Sequence, residues 1–300
     1  MRIDRTEGDD APTRLPARAA DVAAASSPLD AGERAAEHAR YRASVDETYA
    51  TARDSWAQAL PGLHSAWEEH VERYPERTRP TPRTQPDGSW VADGGRKLTP
   101  EQNADVDHGV AHIREVGKNV IIPGMRAVEA QDATRCLAGF ERRYKGEDRL
   151  KEKVVDQLQP PSELTAAQAL NIVPDALRFT LTYQETGYTT GVHSDIELMK
   201  AQGFELMKLK NSWTSDQYKG INSQWQEPES EVRFEVQFHT QASLEAKELS
   251  HKAYERLRGT EAQDDEREEL EAFQSRVNGK VPIPPDVSTV EDYPPEKRDG

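Results

Sequence analysis

The chain has 300 residues, of which 35% are hydrophobic and 31% charged, so it can form one or two domains with an extensive solvated surface. Its formal net charge of -15 argues against broad, non-specific binding of nucleic acid, and any nucleotide must therefore bind in a local basic pocket. The single cysteine, Cys136, excludes an intramolecular disulfide and a multi-cysteine zinc site, and it fits a reducing compartment.

Residues 1 to 30 are rich in Ala, Pro, Asp and Arg without periodicity, which predicts a disordered leader. Neither this leader nor any later stretch has the apolar run of a signal peptide, or the ~20 apolar residues of a membrane span. We therefore expect a cytoplasmic protein without membrane partners, or one that a dedicated machine delivers into a target cell.

The next two segments are predicted to be helical and then irregular. Residues 31 to 74 indicate one long or two shorter amphipathic helices, broken at Pro61, whose main expected role is packing. Residues 75 to 100 are rich in Pro, Arg, Thr and Gly, which predicts a linker and a domain boundary. The apolar positions of the helical region are Tyr41, Val45, Tyr49, Trp56, Leu60, Leu63, Trp67 and Val71.

Residues 101 to 258 are predicted to form the main domain, beginning with helices. A helix is expected to start at Pro100 and to break at Pro123. More helix is predicted from Met125 to about residue 158, where Cys136 would be a buried core thiol rather than a nucleophile.

After residue 160 the pattern changes to alternating strands and helices. This pattern predicts an α/β (α+β) fold with a mixed sheet of about five strands, flanked by helices and preceded by a helical region. The predicted strands are residues 178–183, 204–209 and 233–240, and the predicted helices are residues 192–202 and a long helix that follows residue 240.

The strand 233–240 has an unusual polar face. Glu235, Gln237 and His239 alternate with three apolar side chains, although the strand is expected to be central in the sheet. Such a row favours the lining of a site over packing alone. With Asp175 at the start of another strand, the chain has the carboxylates that metal-assisted phosphoryl transfer requires.

Residues 105 to 258 resemble the RelA/SpoT-type (p)ppGpp synthetase domain family. The motifs that carry the resemblance are RYKGEDRLKEK from Arg143 to Lys153, DALRFT from Asp175, YKGIN from Tyr218 and FEVQFHT from Phe234. The likeness is greatest to the stand-alone, toxin-like small alarmone synthetases, through KNSW from Lys210 and through Lys247, His251 and Tyr254 after QFHT.

This resemblance implies a nucleotidyltransferase-like domain that transfers the β,γ-pyrophosphate of ATP to the 3'-hydroxyl of an acceptor nucleotide. Basic residues that match the family's motifs would grip ATP, with arginine stacking on adenine and lysines meeting phosphates. Arg149 stands where the family usually has serine. The implied ATP-binding residues are Arg143, Lys145, Arg149, Lys153, Arg178, Lys208 and Lys210.

The resemblance also implies the catalytic residues. Asp175 would hold Mg²⁺, and Glu235 would both hold the metal and accept the proton of the acceptor hydroxyl. Asp175 precedes Arg178 by three positions rather than the five of the housekeeping enzymes, so this assignment holds if the loop is merely shorter.

The acceptor nucleotide would lie against Tyr218, which offers a stacking surface of ~1 to 3 kcal/mol per base. His239 stands where many relatives have arginine, and a structural histidine and a phosphate contact are equally expected there. The implied acceptor-binding residues are Tyr218, Lys219, Asn222, Gln237, His239 and His251.

Three functions are compatible with these motifs. The first is synthesis of (p)ppGpp or (p)ppApp by a growth-inhibiting toxin or effector, with an antitoxin or immunity protein as partner. The second is pyrophosphate transfer to the 3'-CCA end of tRNA, for which Arg73, Arg77, Arg79, Arg83 and Arg142 are the only candidate basic patch. The third is an inactive nucleotide-binding module.

Two further features limit the function. No His-Asp dipeptide occurs, so the hydrolase domain of the long bifunctional enzymes is not expected. Residues 259 to 300 are acidic and then rich in proline, which predicts a solvated helix followed by a disordered tail. The residues do not indicate an oligomeric state.

Overall fold

The computed structural model describes residues 47–75, 81–258 and 262–295. The predicted leader, the first part of the predicted helical region to residue 46, and Arg77 and Arg79 lie outside the described residues. In the part of the chain that is described, no helix is both long enough and apolar enough to cross a membrane.

A five-stranded mixed sheet is the centre of the fold, in agreement with the predicted fold class. Its strand order is β4-β5-β8-β7-β6, in which β5 and β8 are parallel and the other neighbours antiparallel. The strands are β4 Cys136–Leu137, β5 Arg178–Tyr183, β6 Glu205–Asn211, β7 Ile221–Gln226 and β8 Arg233–Thr240. The predicted strands therefore correspond to β5, β6 and β8, whereas β7 was not predicted.

Helices cover the sheet and extend the fold on both sides. They are α1 Glu47–Arg73, α2 Pro100–Val116, α3 Ile122–Ala130, α4 Glu147–Gln157, α5 Ala166–Asn171, α6 Tyr188–Ala201, α7 Gln241–Arg258 and α8 Asp264–Asn278. A capping box at Thr99 starts α2 as expected, since Thr99 and Gln102 each bond the other's backbone N–H. Pro123 does not end the helical segment, because a π-helical stretch, Gly117–Ile121, joins α2 to α3 and places Pro123 in the first turn of α3.

The apolar face of the sheet packs against α6. Strand alternation puts Phe179, Phe234 and Phe238 on this face, where each is at most 2% exposed. Tyr188, at the start of α6, donates its hydroxyl to the Phe238 carbonyl at 2.8 Å. The opposite, polar face of the sheet lies partly under α7.

The predicted helix over residues 125 to 158 is wrong in its middle. The helix α3 ends at Ala130, because Asp132 accepts the Thr134 N–H at 2.8 Å and forms a turn. Cys136 then pairs with Thr182 at the edge of the sheet and is exposed, so the prediction of a buried thiol is also wrong.

The segment predicted as a linker forms a small antiparallel sheet. Its strands are β1 Arg83–Thr84, β2 Trp90–Val91 and β3 Lys97–Leu98. Trp90 is fully buried and donates its indole N–H to Asp148 of α4 at 2.8 Å. This segment therefore packs on the main domain, although its composition is that of a linker.

The segment predicted as a solvated helix and a disordered tail is also part of the fold. The helix α8 buries Leu270, Phe273 and Val277. Beyond it, Tyr293 exchanges two backbone hydrogen bonds with Leu209 of β6, at 2.7 and 2.9 Å. The described tail thus covers the outer edge of the sheet.

Candidate active site

A row of polar side chains crosses the sheet at the start of β8. Glu235 is the cross-strand partner of Arg178 on β5 and of Gln224 on β7. Gln224 is in turn the partner of Lys208 on β6. Because cross-strand partners point to the same face, a carboxylate lies between two cationic residues on the polar face.

A second polar row lies two residues further along β8. Gln237 is the partner of Thr180 on β5 and of Asn222 on β7, and Asn222 is the partner of Lys210 on β6. The sheet therefore brings together predicted site residues that are far apart in the sequence. It places β8 between β5 and β7, where its polar face can line a site.

Asp175 is brought to this face by backbone pairing just before β5. The Arg178 N–H donates to the Arg143 carbonyl at 2.8 Å, and the Lys145 N–H donates to the Ala176 carbonyl at 3.1 Å. This pairing sets the basic segment before α4 beside the loop that carries Asp175.

Two of the predicted ATP-binding lysines hold the Asp175 carboxylate. The Lys153 ammonium lies 2.7 and 2.8 Å from its two oxygens, and the Lys145 ammonium lies 3.1 Å from one of them. Burial raises the pKa of Asp175, but the hydrogen bond and positive charge of Lys153 and the charge of Lys145 outweigh it, and the pKa is lowered. Asp175 is therefore an ionised carboxylate.

The pKa of Glu235 is shifted in the opposite direction to that of Asp175. Burial raises its pKa first, and the negative charge of Asp175 raises it further, against the opposing effects of Gln237, Arg178 and Lys247. The Gln237 amide donates to Glu235 Oε2 at 2.9 Å. The two carboxylates are therefore close enough to interact, with their pKa values moved apart.

Tyr218, which was predicted to stack on the acceptor base, is held by two side chains of the polar face. Its hydroxyl lies 2.8 Å from Asn222 Oδ1 and 2.9 Å from His239 Nε2. The other ring nitrogen of His239 lies 2.8 Å from the Ser243 hydroxyl. Burial, and then the charge of Lys247, lower the pKa of His239 well below its usual range, so the ring is neutral. This favours the structural histidine over the phosphate contact.

Gly220 allows the loop of Tyr218 to approach this histidine. Its φ of 152° lies in the region that favours glycine. A Cβ at this position would lie 2.8 Å from His239 Cε1 and 3.2 Å from the Phe238 carbonyl oxygen. The glycine of the YKGIN motif is therefore needed for this approach.

An open cleft lies between the polar face and α7. It has a volume of about 330 Å³, and its floor includes Arg178 and Thr180 of β5. From α7 it is lined by Lys247, Glu248 and His251. With Arg142, four side chains that are cationic or can become so thus face a cavity large enough for part of a nucleotide.

Several predicted binding residues have protein partners instead of an open position. The Lys219 ammonium is buried and donates to the Trp213 carbonyl at 2.9 Å, away from the polar face. Arg149 pairs with Glu152 and lies 3.7 Å from Glu255. Lys210 lies 2.7 Å from a carboxylate oxygen of Asp292 in the tail.

Arg143, expected to stack on adenine, stacks on aromatic rings of the protein. Its guanidinium lies 4.3 Å from the ring centre of Phe140 and 5.0 Å from that of Tyr144. Its Nη1 also donates to the Phe140 carbonyl at 2.9 Å. It borders the cleft, because Phe140 is part of the cleft lining.

Lys247 is a residue of this site to which the sequence analysis assigned no role. Its ammonium donates to Gln237 Oε1, and burial first and the charge of Arg178 second lower its pKa to about 8. The sequence contains a signal for it, because Lys247 follows Ser243 by one helical turn among the small buried residues of α7. A lysine is rarely placed on the packed face of a helix unless its ammonium has a partner there.

The carboxylates fit Mg²⁺ only together with a nucleotide. Mg²⁺ prefers oxygen ligands and usually binds through one or two carboxylates and substrate phosphates. Asp175 and Glu235 supply such oxygens. Within the described ranges, no group of three or more His, Cys, Asp and Glu side chains could hold a metal ion. Phosphate oxygens would therefore have to complete the coordination.

No family model and no curated protein matches the chain. Among solved structures, it is similar to a GTP pyrophosphokinase family protein from Streptococcus pneumoniae, with 13% identity and a TM-score of 0.40 over 61% of this chain and 90% of that one. It is also similar to small alarmone synthetase 1 from Bacillus subtilis bound to its product pppGpp, with 12% identity and a TM-score of 0.34 over 59% of this chain and 88% of that one.

A third similar structure is a protein from Streptococcus mutans, with 16% identity and a TM-score of 0.38 over 55% of this chain and 86% of that one. Two of the three structures thus carry names from the group of enzymes whose motifs the sequence resembles.

Proposed function

We propose that the chain is an ATP-dependent pyrophosphokinase that transfers the β,γ-pyrophosphate of ATP to the 3'-hydroxyl of a purine nucleotide, making (p)ppGpp or (p)ppApp. The observation that carries the proposal is the pair of carboxylates on the polar face. The pKa of Asp175 is lowered and that of Glu235 is raised, and both lie among lysines and arginines. Two interacting carboxylates with separated pKa values are typical of one metal ligand and one general base.

In this proposal the cationic side chains bind the donor. Lys145 and Lys153, which now pair with Asp175, would turn to the phosphates of ATP, since a polyphosphate is a stronger anionic partner than one carboxylate. Arg178 and Lys208 lie in the same row as Glu235 and would contact the transferred group. When bound, Mg²⁺ held by Asp175 and Glu235 would neutralise phosphate oxygens.

Glu235 would act on the acceptor. A carboxylate with a raised pKa is a better proton acceptor than an ordinary one, provided that it is ionised at the working pH. Tyr218 would stack on the acceptor base, and its hydrogen bonds to Asn222 and His239 would fix its ring. Gln237 lies between Glu235 and His239 on the polar face of β8, and it would orient the acceptor ribose.

Transfer to tRNA is the weaker alternative. Of the arginines proposed for a tRNA-binding patch, Arg73 pairs with Glu269 at 2.9 Å and Arg142 with Glu248 at 3.3 Å. Both arginines thus already have carboxylate partners, in exposed pairs of the kind common on protein surfaces. The described residues therefore give this alternative no support beyond the sequence.

A growth-inhibiting role follows from the same proposal. Unregulated pyrophosphate transfer consumes ATP and the acceptor, and the likeness of the motifs is greatest to toxin-like enzymes. Induced expression of the chain is expected to arrest growth, and Glu235→Ala is expected to remove this effect.

The proposal is tested with ATP labelled on the γ-phosphate. Purified protein is incubated with Mg²⁺ and, separately, GDP, GTP, AMP, ADP, ATP and deacylated tRNA. Label is expected on a free nucleotide with release of one AMP per transfer. Glu235→Ala is expected to lower the rate by about 10²- to 10⁴-fold, the usual contribution of a general base.

The matched control is Glu268→Ala, at an exposed glutamate of α8, which is expected to leave the rate unchanged. Label on tRNA alone would move the assignment to the tRNA alternative. Binding of ATP without transfer to any acceptor would contradict the proposal and indicate an inactive nucleotide-binding module.

A further inference from the structure

Three side chains form a chain of hydrogen bonds from α7 to the proposed base. The Lys247 ammonium donates to Gln237 Oε1. The amide of Gln237 donates from Nε2 to Glu235 Oε2 at 2.9 Å. Gln237 is 6% exposed, so solvent cannot easily replace either partner.

This series of hydrogen bonds fixes which end of the Gln237 amide faces Glu235, which the amide alone would not fix. A glutamine amide can present either its oxygen or its NH₂ group to a neighbour, because the two ends are similar in shape. An ammonium has donors only and therefore donates to the oxygen end. Lys247 thus directs the NH₂ group of Gln237 toward Glu235. With the amide reversed, its oxygen would face the carboxylate and repel it.

Glu235 needs this support because it is otherwise weakly held. Among the described residues, the Gln237 amide is its one hydrogen-bond donor, and that bond occupies Oε2. The other carboxylate oxygen, Oε1, is then available to a substrate hydroxyl. A proton acceptor is effective only when it is held close to the proton that it takes, and a small displacement can cost about 10²-fold in rate.

We propose that Lys247 is a positioning residue for the proposed pyrophosphate transfer, which holds the Glu235 carboxylate in its reactive orientation through the Gln237 amide. This inference rests on the proposed function for its effect on rate. It assigns to α7 a role in catalysis besides lining the cleft.

The surroundings of Lys247 make this role dependent on pH. The charged groups that face it are Arg178 of β5, Glu235 of β8, Glu248 of α7 and Arg142, with His251 one turn further along α7. Burial and Arg178 favour the neutral amine, and the glutamates favour the ammonium, so its pKa is about 8. Above that pH the amine can accept as well as donate, and the direction of the Gln237 amide is lost.

The test compares Lys247→Met, Lys247→Arg and, as a matched control, Lys252→Met on an exposed position of the same helix. We expect Lys247→Met to lower kcat by about 10- to 100-fold with little change in the KM for ATP. Lys247→Arg is expected to keep much of kcat and to remove the alkaline decline of the pH profile, because arginine stays charged. A rise in the KM for ATP with unchanged kcat would overturn the inference in favour of a phosphate contact.

A double-mutant cycle separates action through Gln237 from direct action. If Lys247 acts through the amide, Lys247→Met in a Gln237→Met background is expected to cause almost no further loss of kcat. Equal losses of kcat in both backgrounds would overturn the inference.

A readout without activity keeps this inference distinct from the proposed function. The side-chain carboxyl carbon of Glu235 is followed by NMR through a pH titration, with Glu235→Gln used for assignment. Lys247→Met is expected to raise the pKa of Glu235, and this rise is expected to shrink in the Gln237→Met background. If the wild type transfers no pyrophosphate but this pattern is found, the proposed function fails and the positioning inference stands. A titration that Lys247→Met leaves unchanged would overturn the inference, whatever the activity.

Discussion

Glu235 and Asp175 make opposite contributions to stability at neutral pH. Because the folded pKa of Glu235 is above its ordinary value of 4.5, it stabilises the fold at low pH, and this contribution is lost as the pH rises through the folded pKa. The pKa of Asp175 is below its ordinary value of 3.8, so its contribution is present at neutral pH and is lost as the pH falls through the folded pKa.

We therefore predict that Glu235→Gln stabilises the protein while removing activity. At pH 7.5 its Tm is expected to rise by about 1 to 3 °C, because a buried anion beside Asp175 is removed. At pH 3.5, below the ordinary value of 4.5, the difference is expected to disappear, since Glu235 is then protonated in both the folded and the unfolded wild type. Thermal unfolding at the two pH values measures this change.

Asp175→Asn is the contrasting variant. It leaves Lys145 and Lys153 close together without their shared anion, so its Tm at pH 7.5 is expected to fall. A lower Tm for both variants would show that Glu235 is stabilised as an anion, against the direction of its pKa.

At the scale of the element, the loop before β7 depends on a close contact that only glycine permits. We predict that Gly220→Ala raises the KM for the acceptor by about 10-fold and destabilises the protein by about 1 to 3 kcal/mol, because the added methyl group displaces His239 and, with it, Tyr218. ATP binding is expected to change little. Steady-state kinetics with each substrate and thermal unfolding measure these effects.

Gly62→Ala is the control for that substitution. Gly62 is exposed within α1, and an added Cβ would meet no atom within 4 Å. It is expected to leave kinetics unchanged and to stabilise the helix slightly. Equal acceptor KM values for Gly220→Ala and the wild type would contradict the proposed role of the loop.

The elements with clear periodicity could be predicted from the sequence. Polar and apolar residues alternate in β5 and over residues 233–238 of β8, and the capping box at Thr99 marks the start of α2. The strand β4 has two residues, too few for any periodicity to appear. In β7, Ile221, Ser223 and Trp225 are buried in alternation, but the buried Ser223 is polar, so the sequence INSQWQ does not alternate between polar and apolar residues.

The site could be predicted only in part for similar reasons. Motifs give the identity of Asp175, Glu235 and Tyr218, but not their partners. Lys219 donates to the Trp213 carbonyl, and this contact depends on tertiary packing that no spacing in the sequence reveals. The same holds for Lys247, whose role depends on an amide of another element.

At the scale of the whole molecule, the segments outside the sheet are held to the helix that lines the site. The Trp56 indole of α1 donates to Glu245 of α7 at 2.9 Å. Arg256 of α7 pairs with Glu266 of α8, and His70 of α1 lies 3.6 Å from the same carboxylate. The packing role predicted for α1 agrees with these contacts, which fix the helix that carries Lys247.

The tail makes a comparable contact at the other end of the sheet. Asp292 accepts hydrogen bonds from the Lys210 ammonium and the Asn211 N–H, both at 2.7 Å. Burial raises its pKa, but these two bonds and the positive charge of Lys210 together outweigh burial and lower it. If Lys210 binds nucleotide phosphates as proposed, this carboxylate of the tail would compete with them for the lysine.

We predict that Asp292→Asn lowers the Tm and tightens ATP binding. The amide keeps an acceptor for the Asn211 N–H but loses the charge that holds Lys210, so the lysine becomes available to phosphate. The Kd for ATP, measured by calorimetry at low salt, is expected to fall by about 2- to 5-fold, and the gain in affinity is expected to shrink at high salt because of screening.

The difference in Tm between Asp292→Asn and the wild type is expected to be present at neutral pH. It is expected to vanish as the pH falls through the folded pKa of Asp292, where the wild type loses the same charge. Glu291→Gln, an exposed neighbour, is the control. A lower Tm with an unchanged Kd would mean that Asp292 only anchors the tail and that Lys210 does not contact ATP.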